Sequence, residues 1–410
     1  MIRNERIQAT LNTIAGFGAV PEGGTTRLSY SKEFLAAQEY LRQEMLNLGM
    51  EVVVDPIGNL VGTYKGSEAD LAPVMSGSHL DTVPRGGNFD GILGAVSALE
   101  VVRSWHEEDY IPKRSLQVIA TIEEEGTSFG MACFGVRVRC GEFIRQNATD
   151  IPCAVQDGTL ADCLAFAGLP SNALQAAAKA VMPAAFIELH IEQGAELDEQ
   201  KLPAGIVTSI VGFDRLHLVL KGESNHAGTT AMHRRKDAVA AGAAIALGVQ
   251  ALARKDKRFV ATVGSFTVEP NVPNIVPGKV SLCIETRSYS DDILREVREM
   301  VMKVIAAAVA DNNVEYEIVG DFHNFAMPMN EEIINTMVEA AEEIKLNAVK
   351  LPSWAGHDAQ IFAKAGVPTG MIFVPSINGV SHAKEELSHP EEILHGVELL
   401  DVVLRKLTAK

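Results

Sequence analysis

The sequence predicts an α/β domain interrupted by a smaller inserted unit of ferredoxin-like βαββαβ order. Three observations carry this: apolar runs alternate with helical stripes through the first half, a different order begins near Phe213, and the first style resumes afterwards. Residues 32–48 place Phe34, Leu41, Met45 and Leu48 on one helical stripe, with Ser31 as cap and Gly49 as stop. EVVVDPIGNLVGTY reads as a hairpin turning at residues 56–59. APVMSGSH and LQVIATI are apolar runs with polar ends, as in buried parallel strands with functional carboxyl ends. Residues 92–103 between them read as a helix.

In the inserted stretch, RLHLVLKG reads as a strand and residues 236–253 as a helix. RFVATVGSFTV and KVSLCIETRSY are strands, residues 291–310 a helix capped by Ser290, and VEYEIVGD a final strand. That order is the split βαββαβ unit, which needs about a hundred residues. Residues 330–344, VPTGMIFVP and residues 390–407 then supply a helix, a strand and a closing helix. The expected division is 1–212 with 326–410 for the larger domain and 213–325 for the insertion.

With 410 residues the chain can bury two cores, and 47% hydrophobic with 22% charged residues is the composition of a soluble globular protein. A net charge of −17 argues against nucleic acid or an anionic membrane surface as partner, since both need a basic footprint. It leaves a small anionic substrate open, because such a ligand responds to the local field. The N-terminal stretch lacks the apolar core of a signal peptide. The most apolar stretch, residues 238–253, is too short to span a bilayer, contains Gln250, and reads as a buried helix. Cys133, Cys140, Cys153, Cys163 and Cys283 form no C-x-x-C pair, which argues against a disulfide framework or a cysteine zinc site and fits a reducing cytoplasm.

The chemistry-bearing residues recur after apolar runs. SGSHLDTV places His79 at a strand end with Asp81 two residues on, where a carboxylate would fix the imidazole tautomer. Asp90 follows in GGNFDGILG, flanked by glycines that allow close backbone approach. TIEEEG sets Glu123, Glu124 and Glu125 side by side, an arrangement that repels unless a cation or solvent relieves it. FIELHIEQG adds His190 and Glu192, and GVSHAKEE adds His382. Singly these patterns are weak, since a lone His-x-Asp is usually structural and a run of glutamates is usually a solvated helix face. Their shared place at carboxyl ends of strands is where α/β sheets build sites, and imidazoles with carboxylates suit Zn²⁺, Mn²⁺ or related ions.

These motifs, with GGTTRLSYS, NHAGTT, NIVPGK, GHDAQ and MIFVPSINGVSH, give the chain a resemblance to the hydantoinase/carbamoylase branch of the di-metal aminoacylase and carboxypeptidase superfamily. That branch includes N-carbamoyl-L-amino acid hydrolases, allantoate and ureidoglycolate amidohydrolases and β-ureidopropionases. The resemblance runs through nearly the whole chain. It implies two divalent ions (Zn, Mn or Co), one on His79, Asp90 and His190 and one on Asp90, Glu125 and His382. It makes Glu124 the general base and His226 of NHAGTT a stabiliser of the oxyanion, in this chain or across a homodimer closed by the inserted domain. It implies that Asn274 and Arg287 contact the substrate, with Arg287 forking a carboxylate. Gln193 is expected at the ureido group, and His357 and Asp358 along the pocket or as a cap of the following helix. From residues alone, His226 is a loop histidine bonded near Gly228, and Arg287 lies on a solvated strand face.

The expected reaction is hydrolysis of the ureido (N-carbamoyl) C–N bond of a small carboxylate. An N-carbamoyl-L-amino acid comes first, releasing ammonia and carbon dioxide. Allantoate or ureidoglycolate is the alternative, because GHDAQ, PMN and PSINGVSH look especially like the allantoate enzymes. Dipeptidase or N-acyl amino acid deacylase activity is a further alternative, and a metal-free binding protein that kept the fold is the rival from another class. Three positions depart from the branch pattern: Ser128–Phe129, where Arg-Phe is common, Val136, where Ser is common, and Trp354, where a small residue is common. All three are expected to bear on substrate identity.

Overall fold

Strands buried on both faces have no solvent side, and their sequences are continuously apolar for that reason. The structure, a computed structural model, describes residues 1–68 and 70–410. It contains two compact units, Met1–Thr208 with Met329–Lys410, and Ser209–Pro328. Numbered along the chain, the first unit holds β1 (Glu51–Val54), β2 (Leu60–Tyr64), β3 (Val74–His79), β4 (Leu116–Thr121), β5 (Ala185–Ile191) and β6 (Ala204–Ile210). The second holds β7 (Gly212–Lys221), β8 (Asn225–His226), β9 (Phe259–Glu269), β10 (Ile275–Val276), β11 (Lys279–Ser288), β12 (Glu315–Asn324) and β13 (Met327–Pro328). The first unit resumes with β14 (Ala348–Ser353) and β15 (Thr369–Val374).

The first unit's sheet runs β1-β2-β4-β3-β5-β15-β6, with β14 beside β6. β4, β3, β5 and β15 are mutually parallel, so their carboxyl ends lie along one edge. Every residue of β3, β5 and β15 is buried. The helices are α1 (Asn4–Ala15), α2 (Lys32–Asn47), α3 (Ile92–Glu107), the short α4 (Phe134–Arg139), α5 (Leu160–Phe166), α6 (Ala173–Ala177) and α7 (Glu196–Gln200), α8 (Ala238–Lys255), α9 (Asp291–Asp311), α10 (Glu331–Glu343), α11 (Asp358–Lys364) and α12 (Pro390–Thr408). α1, α3 and α12 pack on one another, and α3 and α12 lie on β3 and β5. α3 is buried from Ile92 to Trp105 on all sides, which accounts for its mainly apolar sequence, and its charged exceptions are paired, as Glu100 is with Arg6.

Local chemistry sets the boundaries. The Ser31 hydroxyl accepts from Phe34 N at 3.1 Å and caps α2. Asp55 turns the β1–β2 hairpin by accepting from the backbone N–H groups of Ile57, Gly58 and Asn59. Arg27, from GGTTRLSYS, is wholly buried and donates to the carbonyls of Ile14, Phe17 and Leu80. It thereby ties the end of α1 to the segment that follows β3.

The second unit has strand order β12-β7-β11-β9, all antiparallel, with α8 and α9 packed on the sheet. This is the expected ferredoxin-like order, although the unit begins and ends a few residues outside 213–325. Leu216, Leu218 and Leu220 of β7 meet Ile245 and Val249 of α8 and Val297 and Val301 of α9 in its core. Two expectations need correction here. α8 is not a buried helix: Ala238, Ala241, Gly242, Ile245 and Val249 face the sheet, while Leu247 is 68% exposed. A two-layer unit covers only one side of a helix, whatever the composition of the other side. Ser290 sits at the N-cap of α9 but makes no side-chain capping bond; its backbone carbonyl accepts from Leu294 N.

Candidate metal centre

The aligned strand ends bring together side chains from four parts of the chain. His79 ends β3, Glu124 and Glu125 follow β4, His190 lies near the end of β5, and His382 follows β15. Asp90 lies just before α3 and joins them. Its Oδ1 is 3.2 Å from His79 Nε2 and 3.2 Å from His190 Nε2, and its Oδ2 is 3.1 Å from His382 Nε2. Glu125 Oε2 is 3.5 Å from His382 Nε2, and Glu124 Oε2 is 3.9 Å from His79 Nε2. All five expected ligands therefore meet, as two groups that share Asp90.

Hydrogen bonding fixes the tautomers. His79 Nδ1 lies 2.9 Å from the carbonyl oxygen of Asp81, and His190 Nδ1 lies 2.9 Å from that of Ile191. A carbonyl only accepts, so both Nδ1 atoms carry the proton and both neutral rings present an Nε2 lone pair. Gly91 N–H donates to His190 Nε2 at 3.2 Å, in keeping with that assignment. Two nitrogen lone pairs aimed at one carboxylate oxygen repel it unless a proton or a cation stands between. Glu125 Oε1 is buried without a partner, which adds an acceptor facing the same demand. Imidazole nitrogens with carboxylate oxygens are the donor set of Zn²⁺, Mn²⁺ and Co²⁺. The residues fit a divalent metal.

Proton affinities follow from the same crowding. Burial opposes charge on His79, but Asp90, Glu124 and Asp81 outweigh it and hold the imidazole well above its ordinary value. Asp90 raises His382 to about 9. Burial, with repulsion from Asp90, pushes the Glu125 carboxyl up to about 7, and burial drives Glu124 well above the usual carboxylate range. The backbone is strained here as well: Glu123, Gln193 and His382 all have φ between 56° and 59°, a region that disfavours residues with a side chain.

Several assignments change in detail. The Asp81 carboxylate does not hold the His79 ring, as Oδ1 stands 3.9 Å from Nδ1. Its backbone carbonyl does so, and the carboxylate accepts from the N–H groups of Glu124 and Glu125, fixing the turn that presents them. Glu123 turns away from the centre and accepts from Ser128 N and Phe129 N at 2.6 and 2.8 Å. Gln193 Nε2 donates to Asp90 Oδ2 at 2.9 Å, so its amide is directed at the shared ligand. His357 stands at the N-cap of α11, but its side chain makes no capping bond: it is 1% exposed, lies 2.8 Å from Ser353 Oγ, and packs edge-on against His190. Burial and the neighbouring His190 keep its ring neutral, well below the usual histidine value. Asp358 accepts from the Thr121 hydroxyl, and burial pushes it up to about 7. Val136 is wholly buried in α4, and Ser128 is 1% exposed, its N–H donating to Glu123 Oε1.

Sequence reasoning passed over Glu188, Ser381, Glu386 and Cys133. Glu188, two residues before His190, accepts from Ser78 Oγ and Ala359 N. The Cys133 thiol donates to Glu124 Oε1 at 3.2 Å. Glu188 stands in the ELH motif, where a second inward-facing acid on a buried strand was a readable signal.

In the second unit, β8 pairs with β10, setting His226 opposite Ile275, and Ala227 N donates to Asn274 O at 2.9 Å. His226 and Asn274 are thus neighbours. His226 Nδ1 accepts from Gly228 N and Thr229 N at 3.0 and 3.2 Å, which leaves the ring proton on Nε2 as an outward donor. Arg287 Nε donates to Glu285 Oε1 at 2.8 Å, and Glu285 is shared with Arg215.

An imidazole–carboxylate cluster on the carboxyl edge of a parallel sheet fits a metal-dependent enzyme, and the comparisons name its kind. Residues 75–406 match Peptidase family M20/M25/M40, and the chain belongs to that family of metal-dependent enzymes. It is 37% identical over 407 residues to the allantoate amidohydrolase of Escherichia coli (strain K12), covering 98% of both chains. It is 35% identical over 409 residues to an N-carbamoyl-L-amino-acid amidohydrolase of Paenarthrobacter aurescens, covering 99% of this chain and 97% of that one. A crystal structure of a hydantoinase/carbamoylase family amidase from Burkholderia multivorans superposes with a TM-score of 0.91 at 30% identity, over 100% of this chain and 98% of that one. The chain is an amidohydrolase of the carbamoylase type.

Protons and metal compete for the same atoms, so metal uptake must displace protons. Below about pH 7 Glu125 is protonated, and below about pH 9 His382 is cationic. Apparent affinity for Mn²⁺ or Co²⁺ should therefore rise from pH 6 to 9, and titration calorimetry in buffers of different ionisation enthalpy should register net proton release. An affinity that is flat across this range contradicts the assignment.

Proposed function

We propose that the protein hydrolyses the ureido (N-carbamoyl) C–N bond of a small carboxylate substrate, using two divalent cations. The observation that carries this reading is the double use of Asp90, with His79 and His190 at one oxygen and His382 at the other. His79, Asp90 and His190 would hold one cation, and Asp90, Glu125 and His382 the other. Such a pair, when bound, lowers the pKa of a shared water and polarises the carbonyl to be attacked.

Glu124 takes the proton of the attacking water and returns it to the departing nitrogen. A carboxyl group held well above its usual range by burial is suited to both halves of that transfer. The Cys133 thiol occupies Oε1, leaving Oε2 as the working oxygen, on the side of His79. His226, with its proton on Nε2, is the second stabiliser of the carbonyl oxygen as charge accumulates there, from this chain or a second copy. Arg287, with Nε committed to Glu285, offers its terminal nitrogens to the substrate carboxylate, and Asn274 supplies a neutral contact.

Within this class an N-carbamoyl-L-amino acid and allantoate stand side by side. GHDAQ, PMN and PSINGVSH, together with 37% identity to the Escherichia coli enzyme, support allantoate as the specific second reading. Ammonia release separates both from a dipeptidase or deacylase, which frees an amino acid or an acid instead. Assayed with added Mn²⁺, Co²⁺ or Zn²⁺ on carbamoyl amino acids, allantoate and ureidoglycolate, the enzyme should release ammonia from at least one. Turnover of acyl amino acids or dipeptides alone would sink the reading. Glu124→Gln should keep metal content and KM while kcat falls at least about 10²-fold. Near-normal kcat in that variant removes Glu124 from the role of base.

A further inference from the structure

The shared ligand and the most exposed ligand are joined through a residue that no motif assigns. Glu386 follows His382 by four positions and is 5% exposed. Its Oε1 accepts from Phe89 N at 2.9 Å and from Asp90 N at 3.1 Å. Its Oε2 is 3.0 Å from Ser381 Oγ, and that hydroxyl is also 3.0 Å from Asp90 Oδ2. One carboxylate therefore grips the backbone that presents Asp90 and, through Ser381, the turn that presents His382. Gly87 makes room for it: a Cβ there would lie 2.0 Å from Glu386 Oε1. His382 itself has φ 56°, so its turn is strained and needs an external hold.

We propose that Glu386 is a positioning residue for the metal centre, setting the separation of Asp90 and His382 so that one cation can use both. The inference rests on the ligand assignment above. Groups that orient metal ligands typically change metal affinity ten- to a hundredfold when removed. In Glu386→Gln the amide oxygen can still accept from both N–H groups, and the amide N–H can donate to Ser381, whose own proton then goes to Asp90. The conservative variant should therefore preserve the hold that Glu386→Ala loses.

The test is titration of metal-free full-length protein with Co²⁺, followed by calorimetry and the visible spectrum of bound cobalt, with Tm measured on the metal-free form. Glu386→Ala should weaken the weaker-binding Co²⁺ about ten- to a hundredfold, and Glu386→Gln should stay within about threefold of wild type. Gly87→Ala should copy Glu386→Ala by displacing the carboxylate. Ser381→Ala, which cuts only the link to the turn, should weaken the same ion about tenfold and decides the matter if Glu386→Ala fails to fold. Wild-type Co²⁺ affinity in Ser381→Ala and in a folded Glu386→Ala, with only Tm lowered, makes Glu386 a structural strut and overturns the inference. His382→Ala is the control: wild-type Co²⁺ binding in that variant means that the ligand assignment has failed, and the inference falls with it.

Discussion

Asp90 receives three imidazole nitrogens within 3.2 Å on its two oxygens, inside a site where its own charge is costly to bury. Burial penalises the carboxylate, yet the three histidines hold it well below the ordinary value, so it is ionised at any working pH. With Nδ1 of His79 and His190 spent on backbone carbonyls, their remaining nitrogens can meet that charge only through a proton or a metal ion. Glu124 and Glu125 crowd the same space and are held above their usual range by burial. The surrounding structure is organised around relieving this excess of negative charge.

The fold supplies the means by aligning four parallel strands so that their carboxyl ends share an edge. His79 and His190 then lie within strands, and Glu124 and Glu125 follow β4 within four residues. Rigid elements give a more exact geometry than loops, and the loops that remain are held by buried acids. Asp81 fixes the 124–125 turn through two backbone N–H groups, Glu188 braces β5 against β3 and α11, and Glu386 holds the 89–90 and 381–382 segments. Left-handed backbone at Glu123, Gln193 and His382 is set beside such contacts. The Glu123 carboxylate accepts from Ser128 N and Phe129 N, Gln193 N–H donates to Ser376 Oγ, and Ser381 next to His382 bonds Glu386.

His79, Glu125, His190 and His382 stood out because each follows or ends an apolar strand run, and Asp90 because glycines flank it; their grouping into two ligand sets came only from the family resemblance. The ferredoxin-like order was legible from the succession of short apolar runs and helical stretches after Phe213, with alternation clearest in KVSLCIETRSY. What escaped depends on distant partners. Glu386 is indistinguishable from Glu385 in GVSHAKEE, since its partners Phe89 and Asp90 lie 297 and 296 residues away. GHDAQ says nothing of the His190 and Phe373 rings that pack against His357. α8 looked fully buried because composition reports how apolar a helix is, whereas the number of layers around it decides how much is covered. Asp81 was expected to fix the His79 ring through its carboxylate, whereas the contact is made by its main chain, which no side-chain pattern announces.

If one carboxylate serves two cations, as proposed, the number of ions bound must depend on Asp90, and Asp90→Asn shows whether it does. Elemental analysis and native mass spectrometry of wild type loaded with Mn²⁺ or Co²⁺ should give two ions per chain. Asp90→Asn, which keeps the shape and removes the shared charge, should lose the ability to hold either ion firmly and fall below one per chain. A wild type that binds a single ion, or an Asp90→Asn variant that retains two, would contradict the account.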